Sequence, residues 1–480
     1  MLLTKSKYIM GMQCPRYFWT AMNDKNKIPE PDERAQFIFR QGTEVGELAT
    51  KLYPKGVEVP FDDFKTNLEK SKELLSEGKP LFEAGFKFGD CYSRADILVP
   101  VGDEWDIVEV KSGTRVKDVN LHDVAFQKYC YEGCGLKIRN CYVMHLNNAY
   151  VREGEIILEE LFSKRDITSE VEELYGGIKA KVTWLLEIMK LGDIPEADIG
   201  PRCKSPYACP LTECWDFLPA NHVFNLYRGG KKSLELFEDG VHGIKDIPED
   251  FKLNNNQGIQ RDCDLNEKIH VNRKNLKEFL SGLNYPLHCL DFESFQTAVP
   301  MFDGCKPYEQ ICFQYSLHIV DEDGTVEHKE FLYEGSGDPR EEFINSLEKD
   351  MGNEGSVLVY NQAFEKTKLE GLKKIYPSFG DFVDGVNSRV VDLWVPFRKF
   401  DYYNSVQKGS ASLKAILPAL VGRDYSNLDI SGGELASVSF FNVNYLGIGD
   451  KDKVRNDLLE YCKLDTLAEV LIVDKLKEIV

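Results

Sequence analysis

Runs of apolar residues broken by turn signals predict a mixed α/β chain. In the first block, Ile97, Leu98 and Val99 lead into Gly102-Asp103, and Ile107, Val108 and Val110 lead out, which predicts a β-hairpin. Strands are expected at 91–100, 105–111 and 138–145. Helices are expected at Lys5–Met22, Arg34–Tyr53, 64–77, Asp118–Gly133 and Thr168–Lys190, and a Pro- and Cys-containing loop region spans Ile194–Trp215. The stretch 221–280 carries no strong strand signal; Tyr227–Gly240 and Asn275–Leu283 read as helices, with Asn254–Gly258 a loop between them. From Tyr285 a second α/β pattern begins. Leu287–Phe292, Ile311–Val320 and Val357–Tyr360 read as strands, and the chain ends in a helix, Lys451–Ile479. The expected organisation is an α/β domain at 1–220, a helical connector at 221–283 and a second α/β domain at 284–480.

Composition narrows the function classes. With 480 residues, 42% apolar and 29% charged, the chain is globular and long enough for two or three cores. Its net charge is −20, with 29 Lys and Arg against 35 Asp and Glu through residue 215 and 30 against 44 beyond it. That excludes a general nucleic-acid coat protein, so contact with nucleic acid has to come from local basic patches and bound metal. The polar start MLLTKSKYIMGMQC is no signal peptide, and no apolar run approaches ~20 residues, so a soluble, cytoplasmic protein without membrane contact is expected. Thirteen cysteines in such a chain point to thiols and metal ligation over a disulfide framework.

The hairpin carries the first candidate chemistry. With the turn between Gly102 and Asp103, residue i faces residue 205 − i, so Asp96 faces Glu109. Facing carboxylates stand about 5 Å apart at Cβ and repel, unless a divalent cation lies between them. Lys111 points to the same face as Glu109. Two hard-oxygen ligands and an ammonium suit a Mg²⁺ site for phosphodiester hydrolysis. The competing expectation is a solvated hairpin face.

Gln127 and Tyr131, four apart on the next helix, share a face. With Asp96, Glu109-Val-Lys111 and Gln127-Lys-Tyr-Cys-Tyr131, the block resembles the RecB-like branch of the PD-(D/E)XK nuclease superfamily, which has a restriction-endonuclease-like fold. The resemblance implies that Asp96 and Glu109 hold Mg²⁺ or Mn²⁺ and that Lys111 positions or activates water. It also implies that Gln127 and Tyr131 orient the site and contact the substrate backbone. One position departs from the pattern: the branch usually carries an upstream Gly-x-x-x-His, whereas here Gly42-Thr-Glu-Val-Gly46 puts Gly46 at the His position, with Glu44 and Glu47 nearby.

Cys203-x5-Cys209-x4-Cys214, with Cys14 far upstream, offers four thiols suited to a [4Fe–4S] cluster or to tetrahedral zinc. Such a site would staple the N-terminal helix to the end of the block. The arrangement resembles the iron–sulfur nucleases of the RecB-like branch, which places iron–sulfur ahead of zinc. Cys130, Cys134, Cys289, Cys312 and Cys462 sit in apolar or helical runs, where cysteine behaves as a small hydrophobe.

A second carboxylate set lies beyond residue 284. Asp291 and Glu293 end an apolar strand on one face, Glu365 follows a strand-to-helix passage, and Tyr461 and Asp465 share a helix face. Their order resembles the DEDD exonucleases of the RNase H-like fold, in the subtype with a tyrosine in the last motif. The resemblance implies that Asp291, Glu293, Glu365 and Asp465 bind two metal ions and that Tyr461 places water for a 3′→5′ cut. Glu365 stands where that family has Asp, which shifts its oxygens by roughly 1.5 Å. Asp392 is a further candidate acid, read first as a strand-end residue.

The whole chain resembles a prokaryotic family joining an iron–sulfur RecB-like nuclease to a DEDD-type domain. This implies a metal-dependent deoxyribonuclease acting on DNA single strands or ends in repair, recombination or defence, with protein partners there. The alternatives are one catalytic domain with the other a nucleic-acid clamp, or a non-enzymatic iron–sulfur scaffold binding DNA or protein.

Overall fold

The computed structural model describes residues 2–61 and 63–480. Backbone contacts divide the chain into two compact units: Met1–Trp215 with Thr297–Glu309, and Asp216–Gln296 with Gln310–Val480. Residues 221–283 thus count with the second unit, and the short segment Thr297–Glu309 counts with the first.

The first unit is built on a seven-stranded mixed sheet. Its strands are β1 (Leu3–Thr4), β2 (Val57–Glu58), β3 (Leu81–Phe88), β4 (Cys91–Val101), β5 (Glu104–Lys111), β6 (Ile138–Leu146) and β7 (Phe162–Asp166). They run in the order β2-β3-β4-β5-β6-β7, with β1 added parallel to β4. The β4–β5 pairs Ile97–Val108 to Val101–Glu104 keep the predicted sum of 205, closed by a two-residue turn with Gly102 at φ 66°. The predicted helix Lys5–Met22 is two helices, Lys5–Gln13 and Pro15–Asn23, because Pro15 cannot continue the first and Cys14 is extended at φ −157°. The helix Asp118–Gly133 packs Val124, Phe126, Cys130 and Tyr131 into a core with Tyr8, Phe18 and Phe86. The segment 297–309 is tied into this unit by Ala298 N–H to Gln41 Oε1 (2.6 Å), Arg152 Nη1 to the Met301 carbonyl (2.6 Å) and Tyr308 Oη to the Ser112 carbonyl (2.9 Å).

In the second unit, β8 (His270–Val271) and β14 (Tyr402–Tyr403) form a small antiparallel pair. The main sheet comprises β9 (Leu287–Phe295), β10 (Ile311–Val320), β11 (Val326–Leu332), β12 (Val357–Val359) and β13 (Val390–Asp392), in the order β11-β10-β9-β12-β13. β10 is antiparallel to β9 and β11, whereas β12 is parallel to β9 and β13. The long helix Lys451–Ile479 lies along this sheet, against β9 and β10. The predicted loop Asn254–Gly258 is instead the start of a helix, Asn255–Leu265, with Asn254 as its side-chain cap in a capping box with Gln257. The predicted helix Tyr227–Gly240 is shorter, Lys231–Glu238. No described helix is long and apolar enough to cross a membrane.

Candidate metal centres

In the second unit, the central strand β9 presents Asp291 and Glu293 on one face, and the helix Lys451–Ile479 brings Asp465 to them. Each of the three offers an oxygen within 4.8 Å of the others. Burial and its neighbours Asp465 and Glu293 hold the Asp291 carboxyl well above the usual range. Burial, then Asp465, pushes Glu293 up to about 8, with Lys414 opposing. Burial raises Asp465 to about 6, against hydrogen bonds from Tyr425 and Tyr461 and the charge of Lys414. Lys414 Nζ itself donates to the Ser431 carbonyl (2.5 Å) and lies 5.5 and 5.1 Å from the ring centres of Tyr425 and Tyr461. Three buried acids facing one another without a cation of their own are the donor set that a hard divalent ion requires.

Tyr425 Oη donates to Asp465 Oδ1 at 2.6 Å and so fixes that carboxylate. Burial, and after it Asp465, keeps both the Tyr425 and Tyr461 phenols protonated far beyond the ordinary range. Cys462 Sγ approaches Asp291 Oδ2 at 3.5 Å, so this cysteine touches the site as well as filling the core. Glu365, on the first turn of the helix Ala363–Ile375, is 2% exposed and is pushed up to about 8 by burial. It does not lie within the three-acid group. Asp392 acts on the backbone: Oδ1 accepts from the N–H groups of Asn361 (3.1 Å) and Trp394 (2.9 Å), holding Asn361 at φ 79° just before that helix.

The first unit gathers its predicted residues differently. Glu109, 0% exposed, receives Lys5 Nζ (2.7 Å) and Lys111 Nζ (2.6 Å) on Oε1 and Gln127 Nε2 (2.6 Å) on Oε2. Lys111 also donates to Asp123 Oδ2 at 2.8 Å. Burial pushes Glu109 up, but Lys111 and Lys5 outweigh it and hold its carboxyl far below the usual range. Asp96 accepts from Val110 N–H (2.7 Å) through Oδ2, with Lys5 Nζ 3.8 Å from Oδ1. Burial and then Glu109 raise Asp96 to about 7, against Lys5 and Lys111. The two ammoniums thus fill the electrostatic place that a divalent ion takes between facing acids. Tyr131 is wholly buried, edge-on to Phe86 at 5.1 Å, in the frame of the site and not on its surface. Gly46 has nothing within 4 Å of an added Cβ, and Glu44 and Glu47 are exposed, with burial and Glu47 raising Glu44.

The acid that does reach this site is Glu83. It occupies the β3 position opposite Asp96, between the pairs Phe82–Ile97 and Ala84–Ala95, with φ 57°. Glu83, Asp96, Lys5 and Arg94 line a depression of about 310 Å³. Lys5, Glu83 and Asp123 were not singled out in the sequence as site residues, nor were Lys414, Tyr425 and Glu469 in the second unit. Asp123 stands four before Gln127 and Glu469 four after Asp465, so helical spacing could have found both. The others arrive by strand pairing or from loops.

The four predicted cysteine ligands converge. Gln13 Nε2 donates to the carbonyls of Arg202 (2.9 Å) and Tyr207 (2.7 Å), stitching the end of the first helix, beside Cys14, to the cysteine loop. Cys209 N–H donates to the Cys203 carbonyl at 2.8 Å. All four are free thiols. Burial, and then the proximity of Cys14, Cys203 and Cys214, pushes the Cys209 thiol up to about 11. Among the described residues only Asp291, Glu293 and Asp465 bring three potential ligand atoms within 4.8 Å, so no three of these sulfurs are that close. Tetrahedral zinc at a Zn–S distance of ~2.3 Å needs sulfurs about 3.8 Å apart. A cluster that binds each sulfur to a different iron needs a wider set, which this one fits better.

A family model described as a domain of unknown function, DUF2779, matches residues 288–412. The matched stretch contains Asp291, Glu293 and Glu365 and ends before Tyr461 and Asp465. No curated protein matches the chain.

Proposed function

We propose that this chain is a metal-dependent DNA nuclease whose hydrolytic centre is Asp291, Glu293 and Asp465. The observation that carries the reading is the convergence of these three acids within 4.8 Å, buried and without an ion-paired lysine or arginine of their own. In this reading the second unit is an RNase H-like, DEDD-type domain. Its mixed five-stranded sheet, with two acids on the central strand and a third from the last helix, supports that assignment.

When bound there, Mg²⁺ or Mn²⁺ supplies positive charge to the attacking and leaving oxygens of an in-line displacement. The protein's own groups do the rest. Tyr425 fixes Asp465 by its 2.6 Å hydrogen bond. Tyr461 remains a phenol at any physiological pH, so it orients a water by hydrogen bonding and does not take its proton. Lys414, beside both rings, adds a positive charge near the developing phosphorane.

The first unit, read as a PD-(D/E)XK domain, is assigned to holding the strand. Glu109 is compensated by Lys5 and Lys111, which supports a backbone-binding role over a second hydrolytic metal site. Its cysteines would hold a [4Fe–4S] cluster that staples the domain shut.

Wild type, Lys111→Ala, Asp291→Ala and the double variant, incubated with labelled single- and double-stranded DNA and Mg²⁺ or Mn²⁺, test this reading. Asp291→Ala is expected to abolish cleavage, and Lys111→Ala to weaken binding while preserving the cut. A wild type inert with both metals, or cleavage surviving in Asp291→Ala, overturns it. Anaerobically purified protein is expected to be brown; a colourless protein holding one zinc overturns the cluster assignment.

A further inference from the structure

The side chain that the reading above leaves unused is Glu469. It lies on the helix Lys451–Ile479, four residues beyond Asp465 and eight beyond Tyr461, hence on the same face. It is 1% exposed, and its Oε2 has no hydrogen-bond partner. Glu365, 2% exposed, has an Oε2 in the same condition. Two enclosed carboxylate oxygens with nothing to bond are costly in a protein interior unless a ligand supplies the partner.

Charge places these two acids together. Beyond burial, the groups acting on Glu469 are Asp291, Glu365, Asp465 and Asp392, in that order. Those acting on Asp291 are Asp465, Glu293 and Glu365. Asp291 therefore stands between two acid sets, Glu293 with Asp465 on one side and Glu365 with Glu469 on the other. Asp392 belongs to neither, because its Oδ1 is committed to the N–H groups of Asn361 and Trp394. It positions the passage into the Glu365 helix.

We infer that Glu469 and Glu365 form a second divalent-cation site, sharing Asp291 as a bridging carboxylate with the Glu293–Asp465 site. The inference rests on the metal-centre reading above. It gives a ligand role to an acid outside the expected motif, and it resolves the displaced Glu365: a second glutamate from the opposite element completes what one glutamate alone cannot. Two hard-oxygen donors and a bridging acid leave room for water and a phosphate oxygen in a six-coordinate shell.

The test counts Mn²⁺ bound to the full-length protein by calorimetry and electron paramagnetic resonance. Ions held elsewhere cancel against Asp291→Asn as the reference. Wild type is expected to bind two more Mn²⁺ than Asp291→Asn, and Glu469→Gln only one more, with the second affinity weakened at least ~10-fold. Two ions in wild type should also give a spin-coupled spectrum that Glu469→Gln lacks. If Glu469→Gln does not fold, Glu469→Asp replaces it, with weakening of the same second ion expected. Equal binding by wild type and Asp291→Asn removes the metal centre itself. A wild-type excess of one ion, or two ions bound unchanged by Glu469→Gln, overturns the inference while leaving the first site standing; Glu469 is then a neutral core acid.

Discussion

Replacing Glu293 by Gln should stabilise the metal-free protein at high pH, the reverse of what an ordinary buried substitution does. In the folded chain this carboxyl is raised from 4.5 to about 8 by burial and by Asp465. Below about pH 4.5 it is protonated in folded and unfolded chain alike, and the site carries no penalty. Between pH 4.5 and about 8 the folded state holds a proton that the unfolded state has released, so stability falls as pH rises. Above that window the whole penalty persists. A shift of this size, at ~1.4 kcal/mol per unit, sets a ceiling of about 5 kcal/mol. Gln keeps the shape and removes the charge. Urea denaturation of EDTA-treated protein should therefore show Glu293→Gln matching wild type near pH 4.5 and exceeding it by a few kcal/mol at pH 8.5. Saturating Mg²⁺ should stabilise wild type and leave the variant unchanged. Equal stability of the two metal-free proteins at pH 8.5 would refute the claim that these acids repel one another in the absence of a cation.

Lys5→Met should destabilise the first unit by about 3 kcal/mol, since it strips a partner from a buried carboxylate; adding Glu109→Gln should recover most of that loss in the same denaturation assay. Tyr425→Phe frees Asp465 and should weaken Mg²⁺ binding about 10-fold or more by calorimetry, whereas Tyr461→Phe should slow DNA cleavage roughly 100-fold with metal binding intact. Cys14→Ser should abolish the brown colour and make residues 194–215 sensitive to protease, because the first helix is no longer stapled to the cysteine loop.

Much of the fold was legible wherever one physical rule dominated. The hairpin register followed from a turn and two apolar runs, and the helices Asp118–Gly133 and Lys451–Ile479 were marked by long periodic patterns. Pro15 should have warned against a single N-terminal helix. β3 was missed because Gly85 and the left-handed Glu83 disguise its pattern, and Asn254 was read as a loop residue when it caps a helix. At the sites, short-range spacing revealed Asp291 with Glu293 and Tyr461 with Asp465, since strand and helix geometry fix those pairs. Lys5 could not be found that way: it reaches Glu109 only because β1 pairs with β4, a contact 104 residues apart in sequence. Tyr425 and Lys414 come from segments whose placement no local pattern encodes. The charge state of each centre was equally hidden, because the same pair of acids becomes a metal site or a lysine-compensated cluster according to which distant cation folds beside it.

An anomalous difference map from crystals soaked in MnCl₂ tests the central claim most directly. The account predicts a strong peak coordinated by carboxylate oxygens of Asp291, Glu293 and Asp465, and none between Asp96 and Glu109, where Lys5 and Lys111 already sit. Density between Asp96 and Glu109 alone, with the second-unit acids empty, would contradict it.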